Sequence, residues 1–269
     1  MIPVSSHGKP SPGGLSEPEQ RTATRLCVET GILLLQHGAE SALVETVTRR
    51  LGLALGVERM EIAILANAIV VTSLSERHCI TTVRRNVDRG VNMHMVTEVQ
   101  RAMLDVEAGR LDVTGYEARL AAIRPLRYPR WLVSLMIGLS CACFARLAKA
   151  DLPGCGLAFV AATAAMYIRL FIAQLHFNPL VNFFVSAFVA TSISGQGVLH
   201  KIGAKPEIAM ATCVLLFVPG FPLINSVSDM VKGYMNTGLS RGMGALLLSA
   251  ATCAGILLAM SVWHLWGWL

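Results

Sequence analysis

The uneven distribution of charge along the chain is the feature that most constrains its fold. The 269 residues include 23 Lys and Arg and 17 Asp and Glu, but residues 131–269 hold only ten of these 40 charges. Charged residues make up about 25% of an average soluble protein, so a surface this poor in charge is typical of a segment in lipid. We therefore predict a soluble front half followed by a membrane-embedded half.

Five apolar stretches in the second half have the length of a membrane span, about 20 residues. Trp131 lies at the start of the first stretch, and Trp263, Trp266 and Trp268 lie at the end of the last, as expected for aromatic residues at membrane interfaces. The predicted transmembrane domain covers residues 131–269, with spans at about 131–148, 152–168, 179–199, 208–228 and 242–266.

The basic residues that flank these spans predict the orientation of the chain. With the front half inside the cell, seven Lys or Arg residues lie near the inner face and four near the outer face. Positive residues are enriched in cytoplasmic loops. We therefore expect a multi-pass membrane protein with a cytoplasmic N-terminus and, after five spans, a C-terminus outside.

The front half has the patterns of a compact α+β domain over residues 16–125, preceded by a disordered tail rich in Ser, Pro and Gly over residues 1–15. Ser16 and Glu19 have the spacing of a capping box, which predicts a helix start. Runs rich in β-branched residues predict a three-stranded antiparallel sheet with its first turn at Asn67. The predicted helices cover about 16–36, 39–56, 92–108 and 114–124, and the strands lie between 61 and 84.

Composition also argues against several classes of protein. The front half has a net charge of only +2 (16 minus 14) with both signs interspersed, so nucleic-acid binding is not expected. The seven cysteines are an odd number and fall mostly in apolar runs, which predicts small buried side chains rather than disulfides or a zinc site. Phosphate-binding loops and hydrolase motifs are absent from the sequence. We expect no cofactor, no metal and no enzymatic activity.

The fourth apolar stretch contains the sharpest candidate for a functional site. Pro219 and Pro222 flank Gly220 and are expected to break the helix midway through the span, because proline removes backbone donors. Broken helices near the midplane form the substrate sites of many secondary transporters. Asn225 and Asp229 follow on one helix face. The alternative is a kinked helix that serves packing alone, with Asp229 paired to Lys232.

Polar residues in the second and third apolar stretches are further candidates for the substrate pathway. Asn178, Asn182 and Ser186 recur every four residues and predict a polar stripe, with Gln196 near the other end. Such stripes either line a pathway or hold helices together. Arg169, at the end of the second stretch, either binds a carboxylate with its planar guanidinium or extends to the headgroups.

Three stretches resemble the threonine/serine exporter family, and the resemblance extends from Glu17 to the C-terminus. They are Gln36-His37-Gly38-Ala39-Glu40-Ser41 with Val44, Glu45, Thr46 and Arg49; Cys79-Ile80-Thr81-Thr82-Val83-Arg84-Arg85; and Pro219-Gly220-x-Pro222 with Asn225 and Asp229. Full-length members carry a second five-span half on the same chain. This sequence lacks it and so is similar to the split form, whose small membrane partner is YjjB.

The resemblance implies one subunit of a two-component inner-membrane exporter of small carboxylates, most of all succinate, with threonine or serine as the alternative substrate. It implies secondary transport by a hetero-oligomer with a YjjB-like partner. In the mechanism that we hypothesise, the broken span presents backbone N–H groups to a substrate carboxylate, Arg169 holds a second carboxylate and Asp229 exchanges a proton. Two other classes stay open: a membrane-anchored scaffold or sensor subunit, and a membrane-anchored enzyme.

Overall fold

The computed structural model describes residues 15–75, 78–175 and 177–265. The predicted tail over residues 1–15, apart from Leu15, lies outside the described residues, as do Trp266 and Trp268 of the predicted aromatic belt. The chain divides into two compact units. The first unit comprises Met1–Leu126 and Ile224–Gly242, and the second comprises Arg127–Leu223 and Met243–Leu269.

The first unit combines helices with a small antiparallel sheet whose strand order is β1-β2-β3. Asn67 lies in the two-residue turn between β1 and β2, as the sequence predicts. Ile69 and Val71 of β2 are fully buried in the core of this unit. The elements are α1 (Glu17–Gln36), α2 (Ser41–Ala54), β1 (Arg59–Leu65), β2 (Ala68–Leu74), β3 (Cys79–Arg85), α3 (Met93–Glu107) and α4 (Val113–Ala122).

Local capping explains where the helices of the first unit begin. The backbone N–H of Ser16 donates to the Glu19 carboxylate over 2.9 Å, which is the reciprocal half of the predicted capping box. Asn92 and Asp112 accept hydrogen bonds from backbone N–H groups three residues later and so cap α3 and α4. Gly38, with φ of 88°, makes the turn between α1 and α2.

The second unit consists of apolar helices that pack through small residues. Ala158, Ala161, Ala162 and Ala165 on one helix are fully buried, and such small side chains let backbones approach closely. The helices are α5 (Arg130–Leu147), α6 (Leu152–Gln174), α7 (Pro179–Leu199) and α8 (Pro206–Leu215); α9 (Gly220–Val231) and α10 (Met235–Val262) belong partly to each unit. Among the described residues, four helices are long and apolar enough to span a membrane, and the number of spans rises to five if α8 and α9 together count as one.

The predicted helix break is present, but it lies earlier than expected. Helix α8 ends at Leu215 and α9 begins at Gly220, and the pair is bent by 52°. Pro222 therefore lies in the first turn of α9, where the missing N–H of proline costs no helical hydrogen bond. The break itself covers residues 216–219.

Two helices run further than their apolar stretches suggested. Helix α6 continues to Gln174, so Arg169 lies inside the helix and not at its end. Helix α10 begins at Met235, seven residues before the predicted start of the span at Gly242. It begins there because Gly233, with φ of 91°, ends α9, and this turn returns the chain directly into the next helix.

The cysteines follow the expectation of burial only in part. Cys27, Cys141 and Cys213 are buried, Cys155 is half-buried, and the remaining three are exposed: Cys79, Cys143 and Cys253. Cys143 and Cys253 lie on the candidate spans α5 and α10. A small apolar side chain on a span can face lipid, so it does not need protein around it.

Candidate functional site

Arg169 in the second unit lies against two aromatic rings. Its Cζ atom is 4.2 Å from the centre of the Phe183 ring on α7 and 5.9 Å from that of Phe217, which lies in the break between α8 and α9. A guanidinium over an aromatic face is a favourable cation–π contact. Within the described part of the chain, Arg169 forms no ion pair with a carboxylate.

Two residues of the predicted polar stripe lie beside Arg169. The Asn182 Nδ2 donates to the backbone oxygen of Arg169 over 3.1 Å. Ser186 donates its hydroxyl to the Asn182 Oδ1 over 3.3 Å. Asn182 and Ser186 are both buried, so the structure brings these two predicted residues together with Arg169.

Asn178 and Gln196, the other two residues of the predicted pathway on α7, are not part of this group. Asn178 is exposed and caps α7, where its Oδ1 accepts from the backbone N–H of Leu180 over 2.9 Å. Gln196 donates to the backbone of its own helix at Ser192 over 3.2 Å. Both amides thus have local partners.

The break in the fourth span offers fewer free donors than the sequence suggested. The N–H of Gly220 donates to the Val218 oxygen over 2.8 Å, and the N–H of Leu223 donates to the Pro219 oxygen over 3.1 Å. Pro222 has no N–H. The feature of the break that could contribute to substrate binding is therefore Phe217, through its contact with Arg169. The sequence pattern did not indicate this contact.

Asp229 lies in a second polar cluster, within the first unit. It is completely buried. Its Oδ1 accepts from the backbone N–H of Ser41 over 2.8 Å, and its Oδ2 accepts from the Ser41 hydroxyl over 3.0 Å and from the Arg241 Nη1 over 2.7 Å. Lys232, the partner suggested by sequence spacing, instead pairs with Glu40 over 2.7 Å.

Further hydrogen bonds join the same two segments of the first unit, residues 38–64 and residues 225–241. Asn225 donates to the Gly38 oxygen over 2.9 Å. The remaining bonds run from Ser228 to Glu40, from Tyr234 to Glu45, from Thr237 to the Ile64 oxygen and from Arg241 to the Ala39 oxygen. Two of the three stretches that carried the family resemblance therefore contact each other.

Hydrogen bonds and burial in this cluster shift the pKa values of two groups outside the candidate spans. Hydrogen bonds from Lys232, and secondarily from Ser228, lower the pKa of Glu40 from its ordinary value of 4.5. Burial, assisted by the hydrogen bond to Glu45, raises the pKa of Tyr234 to about 12. Glu45 also pairs with Arg49, as the spacing of four residues predicts.

Comparison with known proteins identifies the family. The model of the threonine/serine exporter family, described as "Putative threonine/serine exporter", matches residues 25–263. The "Probable succinate transporter subunit YjjP" of Escherichia coli (strain K12) is 53% identical over 252 residues, which cover 93% of this chain and 98% of that protein. The protein of the same name from Klebsiella aerogenes is 53% identical over 251 residues, which cover 93% and 97%.

A more distant relative, the "Probable threonine/serine exporter" of Mycobacterium tuberculosis, is 24% identical over 271 residues, which cover 96% of this chain and 50% of that protein. No solved structure matches the chain. The family is one of transporters and not of enzymes, and several apolar helices of spanning length agree with a multi-pass membrane protein. This chain belongs to the threonine/serine exporter family.

Proposed function

We propose that this chain is one subunit of a two-component exporter that moves small carboxylates, succinate first among them, out of the cell by secondary transport. The proposal draws on the two relatives named as succinate transporter subunits, which are matched over 98% and 97% of their lengths. We further propose that the second component is a YjjB-like membrane subunit and that the two form a hetero-oligomer.

We propose that the protein lies in the bacterial inner membrane with five spans, α8 and α9 together forming the fourth. The four long apolar helices and the bent pair found within the described part of the chain support this count. The N-terminal domain faces the cytoplasm, in agreement with the bias of seven basic residues to four near the predicted inner face.

The observation that carries the proposal is the environment of Arg169. A guanidinium in an apolar helix is costly unless an anion pairs with it, yet Arg169 has two aromatic rings and no carboxylate among the described residues. Phe183 and Phe217 contact the guanidinium without using its hydrogen-bond donors. The side chain is thus prepared for a two-pronged contact with a substrate carboxylate.

The test measures succinate inside and outside cells that lack this chain and its partner, after both are restored together. Arg169→Lys keeps the positive charge but cannot make the forked contact, and hydrogen bonds to charged groups are worth about 1.5–3 kcal/mol. We therefore expect succinate efflux to fall about tenfold or more. Arg146→Lys is the matched control, because Arg146 is exposed at the end of α5, and efflux from this variant should equal that of the wild type.

Unchanged efflux from Arg169→Lys, with an unchanged preference for dicarboxylates over monocarboxylates, would remove Arg169 from substrate binding. Full succinate efflux by the partner alone would instead make this chain a scaffold or sensor subunit.

Export of threonine or serine is the second candidate function. The distant relative from Mycobacterium tuberculosis carries that name, and both amino acids have one carboxylate that could contact Arg169. The same cells therefore need to be tested with threonine and serine. Efflux of either amino acid without efflux of succinate would replace the proposed substrate while leaving the transport function in place.

A further inference from the structure

We propose that Asp229 and Arg241 are positioning residues: their buried ion pair fixes helix α9 on the N-terminus of α2, and Asp229 is not the group that exchanges a proton during transport. The inference rests on the proposed exporter function for its transport assay. Its structural part can be tested in the folded protein without any assay of transport.

Asp229 supplies the cap that helix α2 lacks. The N-cap residue of α2, Glu40, makes no side-chain capping hydrogen bond. Ser41, the first residue of the helix, instead donates both its N–H and its hydroxyl to Asp229, which is 188 residues away in the chain. A carboxylate at a helix N-terminus satisfies unpaired N–H groups and is favoured by the helix dipole.

Arg241 joins the carboxylate to the loop that precedes α2. One guanidinium nitrogen donates to Asp229 over 2.7 Å, and the other donates to the Ala39 oxygen over 3.0 Å. Among the described residues, the hydrogen bonds to the Asp229 carboxylate therefore all come from groups that can donate, and an ionised carboxylate is the form that accepts at both oxygens. A proton on the Asp229 Oδ2 would have to reverse the hydrogen bond from the Ser41 hydroxyl or displace the Arg241 guanidinium, and a proton on Oδ1 would have to displace the Ser41 N–H.

The same face of α9 carries a second anchor, that is, a second side chain that is hydrogen-bonded to the segment before or at the start of α2, in addition to Asp229. Asn225, four residues before Asp229, donates to the Gly38 oxygen over 2.9 Å. Residues four apart lie one above the other on a helix, so a shift of α9 by one turn would break both anchors together. Because α9 begins directly after the break at residues 216–219, the anchors fix the segment that continues from the broken span.

The other charged or titratable groups near Asp229 have partners of their own. Lys232 pairs with Glu40, and Glu45 pairs with Arg49 and accepts from Tyr234. These pairs are partly exposed, in contrast to Asp229. A pH dependence caused by them would remain when the buried pair is replaced.

The experiment compares Asp229→Asn, Arg241→Gln and the double variant, each produced with the partner subunit. Each single change leaves one charge or donor without its partner, so we expect lower thermal midpoints in detergent and about tenfold less efflux. The double variant restores neutrality and an amide–amide hydrogen bond. We expect the thermal midpoint of the double variant to return most of the way to that of the wild type. Its efflux should lie within about threefold of the wild-type value, with the same dependence on external pH.

Arg241→Lys is the conservative variant. It keeps the charge but cannot hold Asp229 and the Ala39 oxygen together, so its midpoint should fall between those of the wild type and Arg241→Gln. The partly exposed ion pair of Glu40 and Lys232 supplies the control. The double variant of Glu40→Gln and Lys232→Gln should change the thermal midpoint little.

Three outcomes would overturn the inference. Single variants with wild-type midpoints would show that the pair does not position α9. A double variant that recovers its midpoint but not its efflux would give Asp229 a direct role in transport. A double variant with normal efflux and an altered pH profile would make Asp229 part of proton coupling. If the wild-type protein moves no tested substrate, the proposed function fails, while the midpoints still decide whether the pair positions α9.

Discussion

Asp229 in the first unit and Arg169 in the second are both charged residues on apolar helices, and their surroundings differ. Asp229 is fully buried and accepts from Ser41 and Arg241. Arg169 contacts the rings of Phe183 and Phe217 and pairs with no carboxylate among the described residues. The first arrangement stabilises a fold through a satisfied charge, whereas the second keeps a charge available for a ligand.

The same difference extends through the two units. Within the described residues, every ion pair lies in the first unit. In the part of the chain that the structure describes, five of the seven buried side-chain atoms without a hydrogen-bond partner lie in the second unit: atoms of Ser134, Thr163, Gln174, Thr191 and Ser192. Unpaired polar groups are costly in lipid. The second unit therefore retains hydrogen-bonding capacity that substrate, water or a partner helix can use.

The largest expected effect separates the two charges by their contribution to stability. Arg241→Met leaves the Asp229 carboxylate buried without its cation, so the free energy of unfolding should fall by about 3–5 kcal/mol. Arg169→Met removes a charge that pairs with no carboxylate among the described residues and contacts only aromatic rings, and we expect a smaller loss, of about 0.5–2 kcal/mol, together with loss of succinate efflux. Denaturant unfolding in detergent measures both values. Equal losses of stability in the two variants would contradict the comparison.

An intermediate effect concerns the aromatic contact of Arg169. Phe217→Leu keeps an apolar side chain at the break but removes the ring, and a cation–π contact is worth about 0.5–2 kcal/mol. We expect the KM for succinate efflux to rise about 2- to 30-fold, because the guanidinium is held less firmly. Phe144→Leu, at an exposed position on α5, is the control. An unchanged KM for Phe217→Leu would mean that the ring does not orient Arg169.

The smallest effect is a pH dependence in the first unit. The pKa of Glu40 is lowered in the folded state, first by Lys232 and then by Ser228, so its contribution is present above the ordinary value of 4.5 and is lost as the pH falls through the lowered pKa. The pair is partly exposed, which limits this contribution to about 0.2–1 kcal/mol. Glu40→Gln should lower the thermal midpoint at about pH 6 and lower it by a smaller amount near pH 3, by the linkage between proton binding and stability.

The exposed residue Glu58 offers a control for this measurement. Glu58→Gln should leave the difference between the midpoints at the two pH values as it is in the wild type. An equal lowering of the midpoint at both pH values in Glu40→Gln would assign the loss to packing rather than to the charge.

Local signals in the sequence were sufficient for much of the first unit and for the existence of the broken span. The cap at Ser16, the turn at Asn67 and the breaking effect of Pro219 depend on neighbouring residues, so a pattern of a few residues predicts them. The pairing of Asp229 with Arg241 could not be predicted in this way, because it requires the chain to reverse direction at Gly233 and α10 to begin two turns before its apolar stretch.

The site around Arg169 was likewise predictable only where neighbouring residues on one helix determine it. Spacing on one helix predicted that Asn182 and Ser186 lie on one face, and the structure places them beside Arg169. Phe183 and Phe217 were missed, because an aromatic residue in an apolar stretch carries no signal of which neighbour it contacts. The end of α6 at Gln174 was also missed, since the apolar stretch stops before the helix does.

The discontinuity of the first unit has a consequence for the order in which the protein matures. Its first 126 residues leave the ribosome before residues 224–242, which complete the unit. At about 5–20 residues per second, synthesis of the intervening residues 127–223 takes roughly 5–19 s. During that interval the N-terminus of α2 has no Asp229 to cap it. The front domain therefore finishes folding only after most of the membrane part has been made, so newly made chains that stop short should leave it open to proteases.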